Sequence, residues 1–202
     1  MTMLPNCKPL RFLLFLLFIS VCSHTLAQNL LINGDFESGG AGTGFQTNYF
    51  LASTPGTSNP REYNILTNPF PMNTAFFSNA TDHTFGDGTG RMMVVDGSGN
   101  ANDKVWELVN GVSIGVISGR TYIFSYWIRS ISASNTPANS AIIKVYTNGT
   151  TSAPVLIAGS QTCPTGSPSP WVQVSYRWTA TTSNAQIWLT DEQTNGGGAG
   201  ND

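Results

Sequence analysis

The sequence predicts an all-β fold, built as an antiparallel β-sandwich or jelly roll. Residues 121–130 and 171–180 place aromatic and branched side chains at every second position, which is the period of a β-strand. The linkers at 97–103 and 161–170 are rich in Gly, Asn, Ser or Pro, as turns require. Past Gln28 almost no helical period is visible. Many short strands joined by such turns favour a two-sheet sandwich or a jelly roll.

The predicted strands follow one another along the chain. They cover residues 29–36, 44–49, 63–66, 91–96, 105–117, 121–130, 140–147, 154–158, 171–180 and 185–190. In the first strand, Asp35 and Glu37 share one face and Phe36 points to the other, because successive side chains alternate. Phe36 is therefore predicted to anchor in the core. Trp106 and Trp178 are also assigned to the core.

Residues 1–27 are predicted to be an export signal and residues 28–202 a single secreted domain. Lys8 and Arg11 form a short basic region, and the apolar run that follows them is too short to span a bilayer. Small residues just before Gln28 suit a signal peptidase. We therefore expect a secreted or cell-surface protein without a membrane span.

Composition excludes several classes of partner. Charged residues make up 10% of the chain and aromatic residues 11%, which argues against disorder. The net charge is −2 and no Lys/Arg cluster is present, so nothing favours nucleic acid or an anionic membrane. Of three cysteines, Cys163 alone lies beyond the export signal, so no internal disulfide is expected.

A set of short motifs recurs in a recognisable order. They are Asn33-Gly34-Asp35-Phe36-Glu37, Asp82-His83-Thr84, Gly88-Thr89-Gly90-Arg91 running on to Asp96-Gly97, Val105-Trp106, Thr121 to Trp127, Asn135-Thr136-Pro137-Ala138 and Thr147-Asn148-Gly149. In order and spacing these resemble galactose-binding-like jelly-roll modules of large secreted surface proteins in gliding Gram-negative bacteria. Such modules are similar to family four and nine type carbohydrate-binding modules. The resemblance covers essentially all of residues 28–202.

The resemblance implies a further strand after Asp202, further domains of the same polypeptide, and a structural calcium ion. Relatives hold that calcium with the Glu of the first strand and an acid of the further strand, so Glu37 is the candidate ligand. Asp35 is a second candidate from strand geometry, and carboxylates are suitable calcium ligands. The alternative is that both are solvated acids beside a turn. The site is expected to be incomplete without the further strand.

Sugar binding needs flat apolar platforms with a few fixed donors and acceptors. Trp127 and Arg129 share one face of a predicted strand, opposite its aromatic face, and Trp188 lies opposite Ile187. With Lys144, these residues predict a carbohydrate-binding surface of Trp127, Arg129, Lys144 and Trp188. The alternative is that both tryptophans are buried.

The predicted function is non-catalytic binding of a polysaccharide or cell-surface glycan. His83 is the only histidine beyond the export signal, so the chain has too few histidines for a histidine metal cluster and little support for a histidine-dependent catalytic triad. A glycosidase pair drawn from Glu37, Glu62 and Glu107 lacks the apolar setting that this chemistry needs. Two alternatives stay open: a structural or protein-interaction module, and the accessory domain of a polysaccharide-degrading enzyme.

Overall fold

Strands form all the regular secondary structure that the computed structural model describes, which covers residues 29–193 without 42, 102, 109–113, 133–139, 149–153 and 157–160. The strands are β1 (Phe45–Gln46), β2 (Phe50–Leu51), β3 (Glu62–Leu66), β4 (Met92–Asp96), β5 (Asp103–Leu108), β6 (Ile114–Gly115), β7 (Thr121–Ile128), β8 (Ile142–Asn148), β9 (Pro154–Leu156), β10 (Gln161–Thr162), β11 (Val172–Thr179) and β12 (Asn184–Asp191).

Three sheets contain these strands. The largest has the order β1-β5-β12-β8-β10, with β6 also pairing with β12 and β9 with β8. The second is β7 with β11, and the third is β2-β3-β4. Every pairing is antiparallel except the short parallel pair of β2 and β3. The predicted all-β, antiparallel class is confirmed, and the arrangement is consistent with a β-sandwich.

The main core lies where the largest sheet meets the other two. Val145 is completely buried and Ile187 is 2% exposed, and they pack with Phe45, Trp106 and Phe124. Burying an aliphatic or aromatic side chain of this kind stabilises a fold by about 1.5–3 kcal/mol. The core positions predicted for Trp106 and Trp178 are confirmed, since Trp106 is buried and the half-buried Trp178 packs against the same cluster.

The predicted strand at 29–36 is wrong, because residues 32–38 form turns instead. Asn33 has φ 50° and Phe36 has φ 64°, values that an extended strand does not contain. The Asn33 side chain fixes this turn, since its Nδ2 donates to the Thr43 carbonyl (2.7 Å) and its Oδ1 accepts from Ser38 N–H (2.9 Å). Phe36 nevertheless packs edge-on against Phe45, with ring centroids 5.7 Å apart.

Other predicted strands change mainly in length. The segment predicted at 44–49 keeps strand pairing only at Phe45–Gln46. The segment predicted at 105–117 contains β5 and β6, and residues 109–113 between them lie outside the described part. Residues 157–158 of the predicted 154–158 strand also lie outside it. Strands β2 and β10 were not predicted, since two residues are too short to display a period.

The chain divides into two units, Met1–Leu30 and Leu31–Asp202, and the twelve strands belong to the second. Within the described residues, no helix has the length and apolar character needed to cross a membrane.

Candidate carbohydrate-binding surfaces

The four residues predicted to bind carbohydrate fall into two pairs on different sheets. Lys144 in β8 and Trp188 in β12 lie on neighbouring strands of the largest sheet. Trp127 lies near the end of β7, and Arg129 directly follows that strand. The structure thus brings together the members of each pair but assigns the two pairs to separate sheets.

The first pair belongs to an aromatic row across the largest sheet. Trp188 lies opposite Glu107 of β5 on one side and Tyr146 of β8 on the other. Its neighbour Ile187 is buried in the core, so the strand period turns the indole to the outer face. The rings of Tyr146 and Trp188 are nearly parallel, at 14°, with centroids 5.7 Å apart.

Charged side chains flank these two rings. Lys104 Nζ lies 4.9 Å from the Trp188 ring centroid and pairs with Glu107 Oε1 at 2.6 Å. Lys144 Nζ pairs with Glu192 Oε2 at 3.3 Å. We call Lys104, Glu107, Lys144, Tyr146, Trp188 and Glu192 the Trp188 platform.

The platform places charged and aromatic side chains side by side at the surface. All six side chains are half-buried, so each is reachable from solvent yet restrained by its neighbours. Ammonium and carboxylate groups held by partners offer fixed donors and acceptors to hydroxyls, beside rings on which C–H faces can lie. The strands beneath the platform are internal to the sheet, which keeps these side chains in place.

The second pair forms part of another aromatic cluster. The His83 ring stacks on Trp127 with centroids 3.5 Å apart and planes 16° apart. Trp171 contacts His83 edge-on at 6.2 Å. Trp127 stays 40% exposed, which excludes the alternative that it is buried. We call His83, Trp127, Arg129 and Trp171 the Trp127 cluster.

Arg129 holds two loops against the end of β7. Its Nη2 donates to the Ser169 carbonyl at 2.5 Å and its Nη1 to the Thr81 carbonyl at 3.4 Å. The indole N–H of Trp171 also donates to the Thr81 carbonyl (3.2 Å), and the guanidinium lies 5.0 Å from the Trp171 ring centroid. Burial lowers the pKa of Arg129 below its ordinary value. Because the Arg129 guanidinium contacts two backbone carbonyls and the Trp171 ring, we infer that Arg129 stabilises the fold.

Asp35 and Glu37, the predicted calcium ligands, accept backbone hydrogen bonds. Asp35 Oδ1 accepts from Glu37 N–H at 3.2 Å, and Glu37 Oε1 accepts from Arg91 N–H at 2.7 Å. Calcium takes six to eight oxygens. Among the described residues, no group of three or more His, Cys, Asp or Glu side chains could hold a metal. The calcium site expected at these two carboxylates, which needs an acid of a further strand, stays a prediction.

Two other residues singled out from the sequence, Asp82 and Cys163, are buried and contact other parts of the fold. Asp82 is buried, and its carboxylate accepts from Phe85 N–H (2.7 Å) and Gly86 N–H (3.2 Å), so it caps a turn. Cys163 is buried against Ala141 and Ile143.

Sequence reasoning missed four members of the platform: Lys104, Glu107, Tyr146 and Glu192. One signal was present for Tyr146, which follows Lys144 at the strand period of two and therefore shares its face. The other three depend on which strands are neighbours, and this a single sequence does not display.

Comparison of the chain with protein-family models, curated proteins and solved structures found no match. The similarity to carbohydrate-binding jelly-roll modules therefore stays a prediction.

Proposed function

We propose that this protein is a non-catalytic, secreted module that binds a polysaccharide or cell-surface glycan on the Trp188 platform. One observation carries the proposal: two nearly parallel aromatic rings lie on the outer face of a sheet, and two lysine–glutamate pairs belong to the same and neighbouring strands. Stacking on the rings would hold the sugar, and the charged groups would orient its hydroxyls.

The platform is favoured over the Trp127 cluster for two reasons. In the cluster, the His83 ring stacks on one face of the Trp127 indole with centroids 3.5 Å apart. Both terminal nitrogens of Arg129 also donate to backbone carbonyls. In the platform, each lysine has one ion pair and retains further N–H donors, and Glu107 retains acceptor capacity, while Glu192 also accepts from Thr190 Oγ1 at 2.7 Å.

Affinity electrophoresis in gels that contain soluble polysaccharides tests this function. We expect at least one neutral polysaccharide to retard the protein, and Trp188→Ala to weaken that binding about tenfold, which corresponds to about 1.4 kcal/mol. Tyr146→Ala should weaken it similarly. Trp127→Ala is the matched control, because it removes an indole from a different sheet, and it should migrate like the wild type.

Two outcomes would reject the proposal. If Trp127→Ala abolishes retardation and Trp188→Ala does not, the site lies on the Trp127 cluster. If no polysaccharide retards the wild type, the alternative of a structural or protein-interaction module is favoured.

We further propose that the sheets belong to a galactose-binding-like jelly roll and that mature protein begins at Gln28. The all-β, antiparallel architecture supports the first proposal, and the basic and apolar segments before Gln28 support the second. N-terminal sequencing of protein recovered from the culture medium tests the cleavage position. Intracellular protein that retains Met1 would contradict it.

A further inference from the structure

A β-bulge interrupts the pairing of β5 with β12. The register of β12 against β5 shifts between Leu189 and Thr190. These two consecutive residues lie opposite Trp106 and Lys104, respectively. Val105 therefore has no partner of its own on β12. A bulge of this kind adds one residue to a strand and changes the face to which neighbouring side chains point.

The bulge puts Lys104 and Glu107 on the same face of the sheet. Residues three apart on a regular strand point to opposite faces. Here Trp106 is buried in the core and Val105 packs against the same core, so two consecutive residues share the inner face. Lys104 and Glu107, on either side of them, share the outer face, where Lys104 Nζ lies 2.6 Å from Glu107 Oε1.

Residues just after β1 hold the bulge in place. The backbone N–H of Lys104 donates to Asn48 Oδ1 at 2.9 Å, and its carbonyl accepts from Asn48 N–H at 2.8 Å. The same carbonyl accepts from Thr47 Oγ1 at 3.0 Å. Because the backbone of Lys104 is fixed in this way, its side chain has a defined starting point on the outer face.

The Lys104–Glu107 pair has more hydrogen-bonding capacity left than the second lysine–glutamate pair. An ammonium has three N–H donors, and that of Lys104 donates to Glu107 Oε1. Among the described residues, Glu107 Oε2 has no hydrogen-bond partner. Both oxygens of Glu192, in contrast, accept hydrogen bonds, from Lys144 Nζ at 3.3 Å and from Thr190 Oγ1 at 2.7 Å.

We propose that Lys104 and Glu107 make the Trp188 platform specific for a neutral sugar with free hydroxyls on two adjacent ring carbons. This inference rests on the proposed function and names the class of sugar. One hydroxyl accepts from the Lys104 ammonium, which lies 4.9 Å from the Trp188 ring centroid. The neighbouring hydroxyl donates to Glu107 Oε2, while the sugar ring lies against the aromatic rings. Because the donor and the acceptor are themselves in hydrogen-bond contact, they suit hydroxyls on neighbouring carbons.

The charge balance of the pair disfavours acidic sugars. The Lys104 ammonium is already paired with the Glu107 carboxylate. A ligand carboxylate at this position would lie beside that of Glu107, and like charges brought together at an interface oppose binding. Two hydroxyls, which both donate and accept, meet no such repulsion.

The linkage of a polysaccharide decides whether it carries such hydroxyls. In a pyranose chain joined through carbons one and four, the hydroxyls of carbons two and three are both free. In a chain joined through carbons one and three, no two adjacent ring carbons keep free hydroxyls, except at the chain ends. We call these two kinds diol-bearing and diol-free chains.

Affinity electrophoresis with polysaccharides of both kinds tests the proposal. The diol-bearing probes are soluble glucan, galactan, mannan and xylan joined through carbons one and four. The diol-free probe is a linear glucan joined through carbons one and three, and the acidic probe is polygalacturonate. We expect the wild type to bind at least one diol-bearing chain about tenfold more tightly than the diol-free chain or polygalacturonate, as the loss of one hydrogen bond to a charged group predicts.

Lys104→Met and Glu107→Gln identify the residues responsible. Each should weaken binding of the preferred chain about tenfold and bring it close to that of the diol-free chain, because stacking on the rings remains. A residue with only a structural role would weaken both kinds of chain alike and leave the preference unchanged. Arg177→Met, which removes a positive charge from the exposed face of β11 in a different sheet, is the control and should keep the wild-type preference.

The outcomes separate this inference from the proposed function. If the diol-free chain or polygalacturonate binds the wild type as tightly as every diol-bearing chain, the inference is overturned while the proposed function stands. The same holds if either Lys104→Met or Glu107→Gln keeps the wild-type preference. If no polysaccharide retards the wild type, both are overturned.

Discussion

Arg129 offers the sharpest test of the fold around the Trp127 cluster. Sequence patterning suggested that it contacts a ligand, whereas in the structure it joins the end of β7 to two loops. The informative substitutions are Arg129→Met, which keeps an unbranched apolar stem, and Arg129→Lys, which keeps the charge without the planar fork.

The expected cost follows from the contacts. A hydrogen bond from a charged donor contributes about 1.5–3 kcal/mol, and the 2.5 Å bond to Ser169 is counted as one such bond. The 3.4 Å bond to Thr81 is long and adds little. The cation–π contact with Trp171 adds about 0.5–1 kcal/mol. Arg129→Met should therefore lower the free energy of unfolding by about 2–4 kcal/mol, and Arg129→Lys by about half as much.

Urea unfolding followed by circular dichroism measures these changes. In a domain of this size, each kcal/mol shifts the melting temperature by about 2–4 °C, so Arg129→Met should melt roughly 4–16 °C lower. Arg177→Met on the neighbouring strand β11 is the matched control, because Arg177 is exposed, and should change stability by less than about 0.5 kcal/mol. An Arg129→Met protein as stable as the Arg177→Met protein would refute the contacts assigned to Arg129.

Three further predictions concern a close approach at Gly90, the carboxylate of Glu37 and the phenol of Tyr126. Gly90→Ala should lower the free energy of unfolding by about 2–4 kcal/mol, because the added Cβ would overlap the Asp82 carboxylate and displace it from two backbone donors. The matched control is Gly115→Ala, because a Cβ at Gly115 meets nothing within 4 Å. Equal urea midpoints for the two variants would contradict the prediction. Glu37→Ala should lower the free energy of unfolding by about 1–2 kcal/mol both with calcium and with EDTA, because it removes the acceptor of Arg91 N–H. A stability loss seen only with calcium would instead show that Glu37 is a metal ligand. Burial raises the pKa of Tyr126, and the neighbouring Tyr176 adds to this effect. The stability that the neutral Tyr126 phenol contributes to the fold is therefore complete below the unfolded-state pKa of about 10 and is lost as pH rises. Above that pH the free energy of unfolding should fall by about 1.4 kcal/mol per pH unit from this group, and Tyr126→Phe should remove that share; an unchanged alkaline slope would show that the phenol is not desolvated.

Long alternating strands could be predicted from the sequence because their signal is local. For β7, β11 and β12, eight residues each repeat the period of two, and the predicted bounds lie within two residues of those observed. A strand as short as β2 or β10 holds two residues and forms only because a partner lies beside it. Its existence depends on tertiary structure, which no local pattern encodes.

The turn at residues 32–38 shows how two local signals compete. Alternation around Phe36 favoured a strand, but Asn33-Gly34 is also a strong turn signal. The turn is formed, and the left-handed Asn33 closes it with its own side chain. Phe36 reaches the core either way, so the predicted anchor was correct although the predicted backbone was wrong.

A residue of the candidate site was predictable only where the pattern of its own strand decides which face of the sheet its side chain lies on. The outward position of Trp188 follows from its buried neighbour Ile187, and that of Trp127 from the aromatic face opposite it. The partners of both indoles come from distant parts of the chain: Tyr146 is brought by strand order and His83 by a loop. The prediction therefore identified indoles at the surface but joined them into one site.

The different partners of the two indoles have a functional consequence. His83, in a loop, covers one face of Trp127, so a ligand would have to displace or share that ring. Trp188 lies between residues of two flanking strands in the middle of a sheet, and its neighbours are held by pairing rather than by loop conformation. Binding sites on rigid elements lose less conformational entropy when a ligand arrives. Of two tryptophans with the same strand pattern, Trp188 is thus the one whose neighbours are held by strand pairing, and this is why the proposed glycan site is placed there.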